Sequence, residues 1–222
     1  PWVVPALFLA TTFLTIFWYY RASRSVPFLV GMIVWTGLQM ALGYSGVFED
    51  TQSVPPKLML FGVFPALLMI LGMFLTKSGR ALIDGMNLRT VTNSHAIRIP
   101  VEIVLFLLFQ QGWVSKLMTF EGTNFDILSG LTAPLAGYFA FKGNTLNTKL
   151  LVFWNVLCLL LLLNVVITAV FAIPSPFQKL AFDQPNVAVL RFPFNLLPTV
   201  VVPLVLFGHL VAFRQLLGSR SK

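Results

Sequence analysis

The chain has 222 residues, of which 57% are apolar and only 10% are charged, and its mean hydropathy is +0.86. This composition excludes an ordinary soluble domain and predicts an integral membrane protein with a single all-α transmembrane domain over residues 1–222. The net charge of +8 arises from Lys and Arg between the apolar runs, so it predicts membrane orientation and no nucleic-acid partner.

Apolar runs of about 18 to 25 residues predict seven transmembrane helices, because each run can cross a hydrocarbon layer of about 30 Å. In chain order these runs cover residues 2–20, 27–47, 58–75, 99–117, 125–141, 150–173 and 194–216. Prolines in the third, fifth and seventh runs predict kinks or locally opened helices. Two linkers exceed turn length: residues 76–96 predict a short cytoplasmic helix, and residues 174–193 predict an outer-surface segment or lid.

Basic residues are concentrated in alternate linkers, which is the pattern of the cytoplasmic side. They are Arg21, Arg24, Lys77, Arg80, Arg89, Arg98, Lys142, Lys149, Arg214, Arg220 and Lys222. This distribution predicts an outside N-terminus and a cytoplasmic C-terminus in a bacterial-type inner (plasma) membrane. The single cysteine, Cys158, lies inside an apolar run, so no intrachain disulfide is expected.

Three ionisable residues precede or enter the fourth apolar run. His95, Arg98 and Glu102 are three and four residues apart, so a continuous helix places them on one face, with Glu102 one turn from Arg98. Pro100 is best tolerated in a first turn, which predicts that this span begins nearby. Glu102 is then expected about one turn inside the cytoplasmic boundary, paired with Arg98.

Other polar residues fall at a similar predicted depth. The predicted cytoplasmic-side polar layer consists of His95, Arg98, Glu102, Asn155, His209 and Arg214. His209 is expected to face the protein interior, because Gly208 beside it permits close approach of another helix. A structural ion pair and an interhelical histidine explain the same residues without a binding function.

A second polar cluster, FEGTNFD, lies on the predicted outer side. Glu121, Asn124 and Asp126 could form an entrance for a cation or polar substrate. The favoured alternative is structural: Thr123 or Asn124 caps the fifth helix and Asp126 lies in its first turn.

No cofactor is expected from the sequence. The span number, orientation and length are similar to those of microbial rhodopsins, but the last run lacks the lysine that attaches retinal in that family, so a retinal Schiff base is excluded. A metal site of His95, Glu102 and His209 is a weak alternative, because the spacing matches no metal motif. Haem ligation by both histidines is disfavoured because His95 is predicted close to the surface.

Three functions are compatible with these features. The leading hypothesis is binding or transport of a small molecule or ion through the cytoplasmic-side site, with Glu102 carrying the charge, Arg98 pairing with it and His209 accepting protons. The first alternative is an intramembrane enzyme that acts on a lipid or isoprenoid-like substrate. The second is a non-catalytic subunit of a membrane complex. The expected partners are the lipid bilayer and a small-molecule or lipid ligand, and the sequence indicates no oligomeric state.

Overall fold

The computed structural model describes residues 2–142 and 146–218, which contain helices and no strand. Arg220 and Lys222, used above for orientation, lie outside the described residues. The α-helices within the described ranges are α1 (Val3–Ser23), α2 (Val26–Tyr44), α3 (Phe64–Leu75), α4 (Lys77–Gly85), α5 (Leu88–Ser94), α6 (Arg98–Gln110), α7 (Ile127–Ala140), α8 (Thr148–Ala172) and α9 (Val202–Gly218). The prediction of an all-α fold is confirmed.

Five helical segments of the described chain are long and apolar enough to cross a membrane: α1, α2, Leu88–Gln110, α8 and Leu197–Gly218. A sixth candidate span is obtained if Met59–Leu75 and α4 are counted as one broken span, in which the two helix axes are bent by 87°. Helix α7 is apolar but shorter. Large apolar side chains are exposed on many of these helices, which is compatible with lipid contact. The protein is therefore a multi-pass helical membrane protein.

The fourth helical segment begins eleven residues earlier than the sequence predicts. Helices α5 and α6 are joined by a 3-10 turn, His95–Ile97, and form one segment, Leu88–Gln110, in place of the predicted 99–117. The tighter turn precedes Pro100 and accommodates its missing backbone donor inside the segment. Hydroxyls in the polar first turns bond back to carbonyls of the same helix, so these turns are buried without unpaired hydroxyls.

Side-chain caps fix the turns between the helices. Ser25 Oγ accepts a hydrogen bond from the backbone of α2, and Arg24 beside it adopts a left-handed conformation that ends α1. Thr76 caps α4 in the same way, which places the sharp bend directly after α3. The short helix predicted within residues 76–96 is confirmed as α4.

Two π-helical turns, Met59–Val63 and Leu197–Val201, open the third and last helical segments at the positions where prolines predict irregular backbone. Side chains of α2 bond to the carbonyls of these turns. Gln39 Nε2 donates to a carbonyl of the first turn at 3.0 Å, and Trp35 Nε1 donates to a carbonyl of the second at 2.8 Å. Polar groups of α2 therefore stabilise irregular backbone within an apolar bundle.

The loop before α7 folds into the bundle. Asp126, directly before α7, contacts Arg98, which is the eleventh of 23 residues in Leu88–Gln110. The N-terminal end of α7 therefore lies beside the middle of the helical segment Leu88–Gln110. The linker 174–193 packs across this loop: Asn186 Oδ1 accepts from Ser115 N at 3.0 Å. Gln184 Nε2 donates to the carbonyl of Phe109, in the last turn of α6, and to that of Val114, after α6.

Candidate functional site

Arg98 is the centre of a buried polar cluster. Its side chain is only 3% exposed, and Nη1 lies 2.6 Å from Asp126 Oδ1 and 3.2 Å from the Cys158 carbonyl oxygen. Nη2 lies 2.6 Å from His209 Nε2. One guanidinium thus joins α6, α8, α9 and the start of α7. The prediction that Glu102 is the ion-pair partner of Arg98 is wrong, because the loop before α7 brings Asp126 to the guanidinium instead.

Glu102 is buried one turn further along α6. Its Oε1 accepts a hydrogen bond from Asn124 Nδ2 at 2.5 Å, whereas Oε2 has no partner in the part of the chain that the structure describes. Asn124 Oδ1 in turn accepts from the backbone N–H of Asp126 at 3.0 Å. Asn124 therefore bridges the two acidic residues. The capping account is wrong, because the residue before α7 is Asp126 and its side chain makes no capping bond.

The two histidines stack in the middle of the cluster. The rings of His95 and His209 are 4.1 Å apart between centroids and 28° from parallel, and both are buried. A guanidinium can only donate, so His209 Nε2 accepts from Arg98 and Nδ1–H donates to Asn155 Oδ1 at 2.8 Å. His209 faces the interior, as expected, and Asn155 is its partner.

His95 is not close to the surface as predicted, because its helical segment begins seven residues before it. Neither ring nitrogen has a partner among the described residues. Gly208 makes this packing possible: a Cβ at that position would overlap the Tyr19 hydroxyl and lie 3.3 Å from His95 Nε2. Tyr19 is a buried neighbour of the cluster that the sequence analysis missed, although a tyrosine close to the charged end of an apolar run was a usable signal.

Two predicted site residues lie elsewhere. Arg214 forms a two-contact ion pair with Asp84 of α4 at 2.7 and 2.8 Å, and both side chains are at least one-third exposed. Its position near the end of α9 keeps it at the bundle surface, so including it in the polar layer is wrong. Glu121 is exposed on the loop before α7 and lies outside the cluster.

The prediction that the polar residues lie about one turn inside the cytoplasmic boundary also needs correction. Arg98 and His209 lie near the middle of their helical segments, as the eleventh of 23 and thirteenth of 22 residues. Asn155 is the eighth of 25 residues in α8. Apart from Arg214 and Glu121, the predicted inner layer and the predicted outer entrance therefore form one cluster, since Asn124 and Asp126 reach it from the other side.

A cavity of about 110 Å³ adjoins the cluster. Its walls are apolar except for Arg98, Glu102 and Asp126, and both π-helical turns contribute to them. Within residues 2–142 and 146–218, no group of three or more His, Cys, Asp or Glu side chains converges where a metal ion could bind. The weak alternative of a His95, Glu102 and His209 metal site therefore lacks converging ligands.

Comparison with known proteins identifies the family. A family model described as "Domain of unknown function (DUF8737)" matches residues 55–217, well over half of the chain. The chain belongs to the DUF8737 family. No curated protein and no solved structure matches it. The matched region holds every member of the polar cluster except Tyr19, so the cluster is built almost entirely by the DUF8737 domain.

Proposed function

We propose that this DUF8737 protein binds and moves a small cation, or a small molecule that donates a proton, through the membrane at Glu102. The observation that carries the proposal is the buried Glu102 carboxylate: Asn124 holds one oxygen, the other has no partner among the described residues, and the side chain forms part of the cavity wall. A carboxylate at membrane depth is costly unless a proton or positive charge joins it. The cavity provides room for such an occupant.

The rest of the cluster supports this role for Glu102. Arg98 and Asp126 neutralise each other in a short ion pair, which leaves Glu102 as the carboxylate available for exchange. His209 has its accepting nitrogen occupied by Arg98, so it acts as a positioning residue for the guanidinium. Neither ring nitrogen of His95 has a hydrogen-bond partner within residues 2–142 and 146–218, so His95 is the second candidate for proton exchange.

An intramembrane enzyme is supported less well by the geometry. Such an enzyme needs a lateral opening that brings a lipid or isoprenoid-like substrate to the ionisable residues. The apolar groove of about 550 Å³ between α2, α3 and α9 is lined by other side chains and does not include His95, His209 or Glu102.

Labelling with dicyclohexylcarbodiimide tests the exchange site, because this reagent modifies protonated carboxyl groups in apolar surroundings. We expect mass spectrometry of the purified protein to find modification at Glu102 that decreases as pH rises and as Na⁺, K⁺ or ammonium is added. Glu102→Gln should abolish the modification, and Glu121→Gln, the same change at an exposed site, should leave it intact. Absence of Glu102 modification, or modification that responds to neither pH nor cations, would contradict the proposal.

The same proposal predicts ion movement in vesicles. With the protein reconstituted and dyes for H⁺, Na⁺ and K⁺ trapped inside in parallel samples, an imposed potential should change the internal concentration of at least one of these ions. Glu102→Gln should remove this change and Glu121→Gln should retain it. Equal dye signals from vesicles with wild type and with Glu102→Gln would refute a transport role for Glu102.

We also propose that the chain crosses the membrane seven times. The third is formed by the 17 residues of Met59–Leu75, about 26 Å long at the helix rise. The fifth combines the buried loop before α7 with α7 itself, since irregular backbone is tolerated at membrane depth where protein surrounds it. From the linker charge we further propose that the N-terminus lies outside and the C-terminus lies in the cytoplasm, in a bacterial-type inner membrane.

Cysteine labelling in intact cells tests this orientation. The native Cys158 is buried, so the wild-type protein provides a low background. Ser53→Cys and Ser175→Cys should react with an impermeant thiol reagent, and Ser78→Cys should not. The reverse pattern would overturn the assigned orientation.

A further inference from the structure

A second cavity lies away from the polar cluster. It is a groove of about 550 Å³ between α2, α3 and α9, and its walls are almost entirely apolar. Phe28 and Met32 line it from α2, Met73 from α3, and Leu204 and Phe207 from α9. None of the ionisable residues of the Arg98 cluster contributes to it.

The length of the groove matches one leaflet of a bilayer. On α2 its lining extends from Ser25 to Trp35, and on α3 it extends from Ala66 to Thr76. Ten residues of helix span about 15 Å. This length is half of a hydrocarbon core of about 30 Å.

One end of the groove is polar and basic. Ser25, Thr76 and Ser78 line this end, where the chain turns from α1 to α2 and from α3 to α4. Arg24 and Lys77 are their exposed sequence neighbours and form no ion pair with any described residue. The charge at this end therefore complements an anion.

A nearby carboxylate does not cancel this charge. Asp84, the acidic residue of α4, is held by Arg214 of α9 through two short contacts. The Arg80 guanidinium donates to the Leu75 carbonyl at 3.0 Å, so it remains at the α3–α4 bend with its positive charge.

Two glycines leave the groove open. A Cβ at Gly31 or Gly72 would meet no described atom within 4 Å, and both residues line the groove. At Gly43, by contrast, a Cβ would overlap Asn195 of the neighbouring segment. Helix packing among the described residues therefore does not explain these two glycines, and the absence of a side chain at each keeps the groove wide.

We propose that the groove holds one anionic phospholipid, with an acyl chain along α2 and α3 and the phosphate at the Ser78, Lys77 and Arg24 end. The lipid site is separate from the proposed exchange site at Glu102, and it does not depend on that function.

Native mass spectrometry of the detergent-purified protein tests the site, with phosphatidylglycerol and phosphatidylcholine of identical acyl chains added in equal amounts. Wild type should retain one phosphatidylglycerol in preference to phosphatidylcholine. Gly31→Leu should fill the groove and lose the bound lipid, whereas Gly37→Leu should keep it, because Gly37 is on the same helix, is equally open and lies outside the groove.

A charge variant tests the headgroup end without filling the groove. Lys77→Gln should weaken phosphatidylglycerol retention about fivefold while leaving phosphatidylcholine unchanged. Equal retention of the two lipids by wild type, or no difference between Lys77→Gln and wild type, would overturn the proposal. Retention by Gly31→Leu at the wild-type level would overturn the placement of the acyl chain.

Discussion

Removal of Asp126 tests how the buried cluster is held together. Asp126→Asn leaves the Arg98 guanidinium charged but removes its ion-pair partner, so its direct hydrogen-bond partners are then all neutral: the introduced amide oxygen, the Cys158 carbonyl and the His209 ring. The Arg98 and Asp126 side chains are only 3% and 8% exposed, so bulk solvent does not replace the lost carboxylate. We expect Asp126→Asn and Arg98→Leu each to destabilise the protein strongly.

The magnitude follows from the burial of the pair. Stranding one member of a buried ion pair costs about 3 to 5 kcal/mol. For a chain of this length, each kcal/mol corresponds to about 2 to 4 °C in melting temperature, so each single variant should melt roughly 6 to 20 °C below wild type. The double variant Arg98→Leu with Asp126→Leu buries no unpaired charge and should recover part of this loss.

Thermal unfolding of the detergent-solubilised protein, followed by intrinsic fluorescence, measures these shifts. The exposed Arg214 and Asp84 pair supplies the control: Arg214→Leu removes an ion pair of similar length, but solvent replaces it, so its shift should be much smaller. Strictly additive losses in the single and double variants would refute the coupling between Arg98 and Asp126.

Two further predictions concern the bends and the outer loop. Gly79→Ala should destabilise the protein more than Gly85→Ala in thermal unfolding, because a Cβ at Gly79 would overlap the backbone of Met73, whereas one at Gly85 meets nothing; equal shifts would contradict this. The hydrogen bond from Lys57, at 2.7 Å, holds the pKa of Asp50 below its usual value. The stabilising contribution of the Lys57–Asp50 ion pair should be complete above the unfolded-state pKa of Asp, about 3.9, and should disappear as Asp50 becomes protonated in acid. Asp50→Asn should therefore lower the melting temperature at neutral pH but not at acidic pH.

The apolar runs predict most helices well, because the length of an apolar run can be read directly from consecutive residues of the sequence. Helices α1, α2 and α8 begin and end within about three residues of the predicted runs. The start of the fourth segment was predicted too late because its first turns are polar. Thr92 and Ser94 satisfy their hydroxyls inside the helix, so polarity there did not indicate a loop.

The site was predictable only where helical spacing decides it. His95, Arg98 and Glu102 share a cluster as the spacing predicts, and His209 joins them. The pairing of Arg98 with Asp126 spans 28 residues and depends on how deeply a loop folds into the bundle. No local pattern encodes that depth, which is why one site looked like two in the sequence.

The long sequence separation within the cluster sets an order of assembly during synthesis. His209 bonds to Arg98 across 111 residues and to Asn155 across 54. At a translation rate of about 5 to 20 residues per second, the helix that carries Arg98 precedes the one that carries His209 by roughly 5 to 20 s. Asp126, only 28 residues after Arg98, is synthesised well before His209. Residues 197–205 form part of the wall of the cavity beside Glu102, so the proposed site is complete only after the last described helical segment has been synthesised.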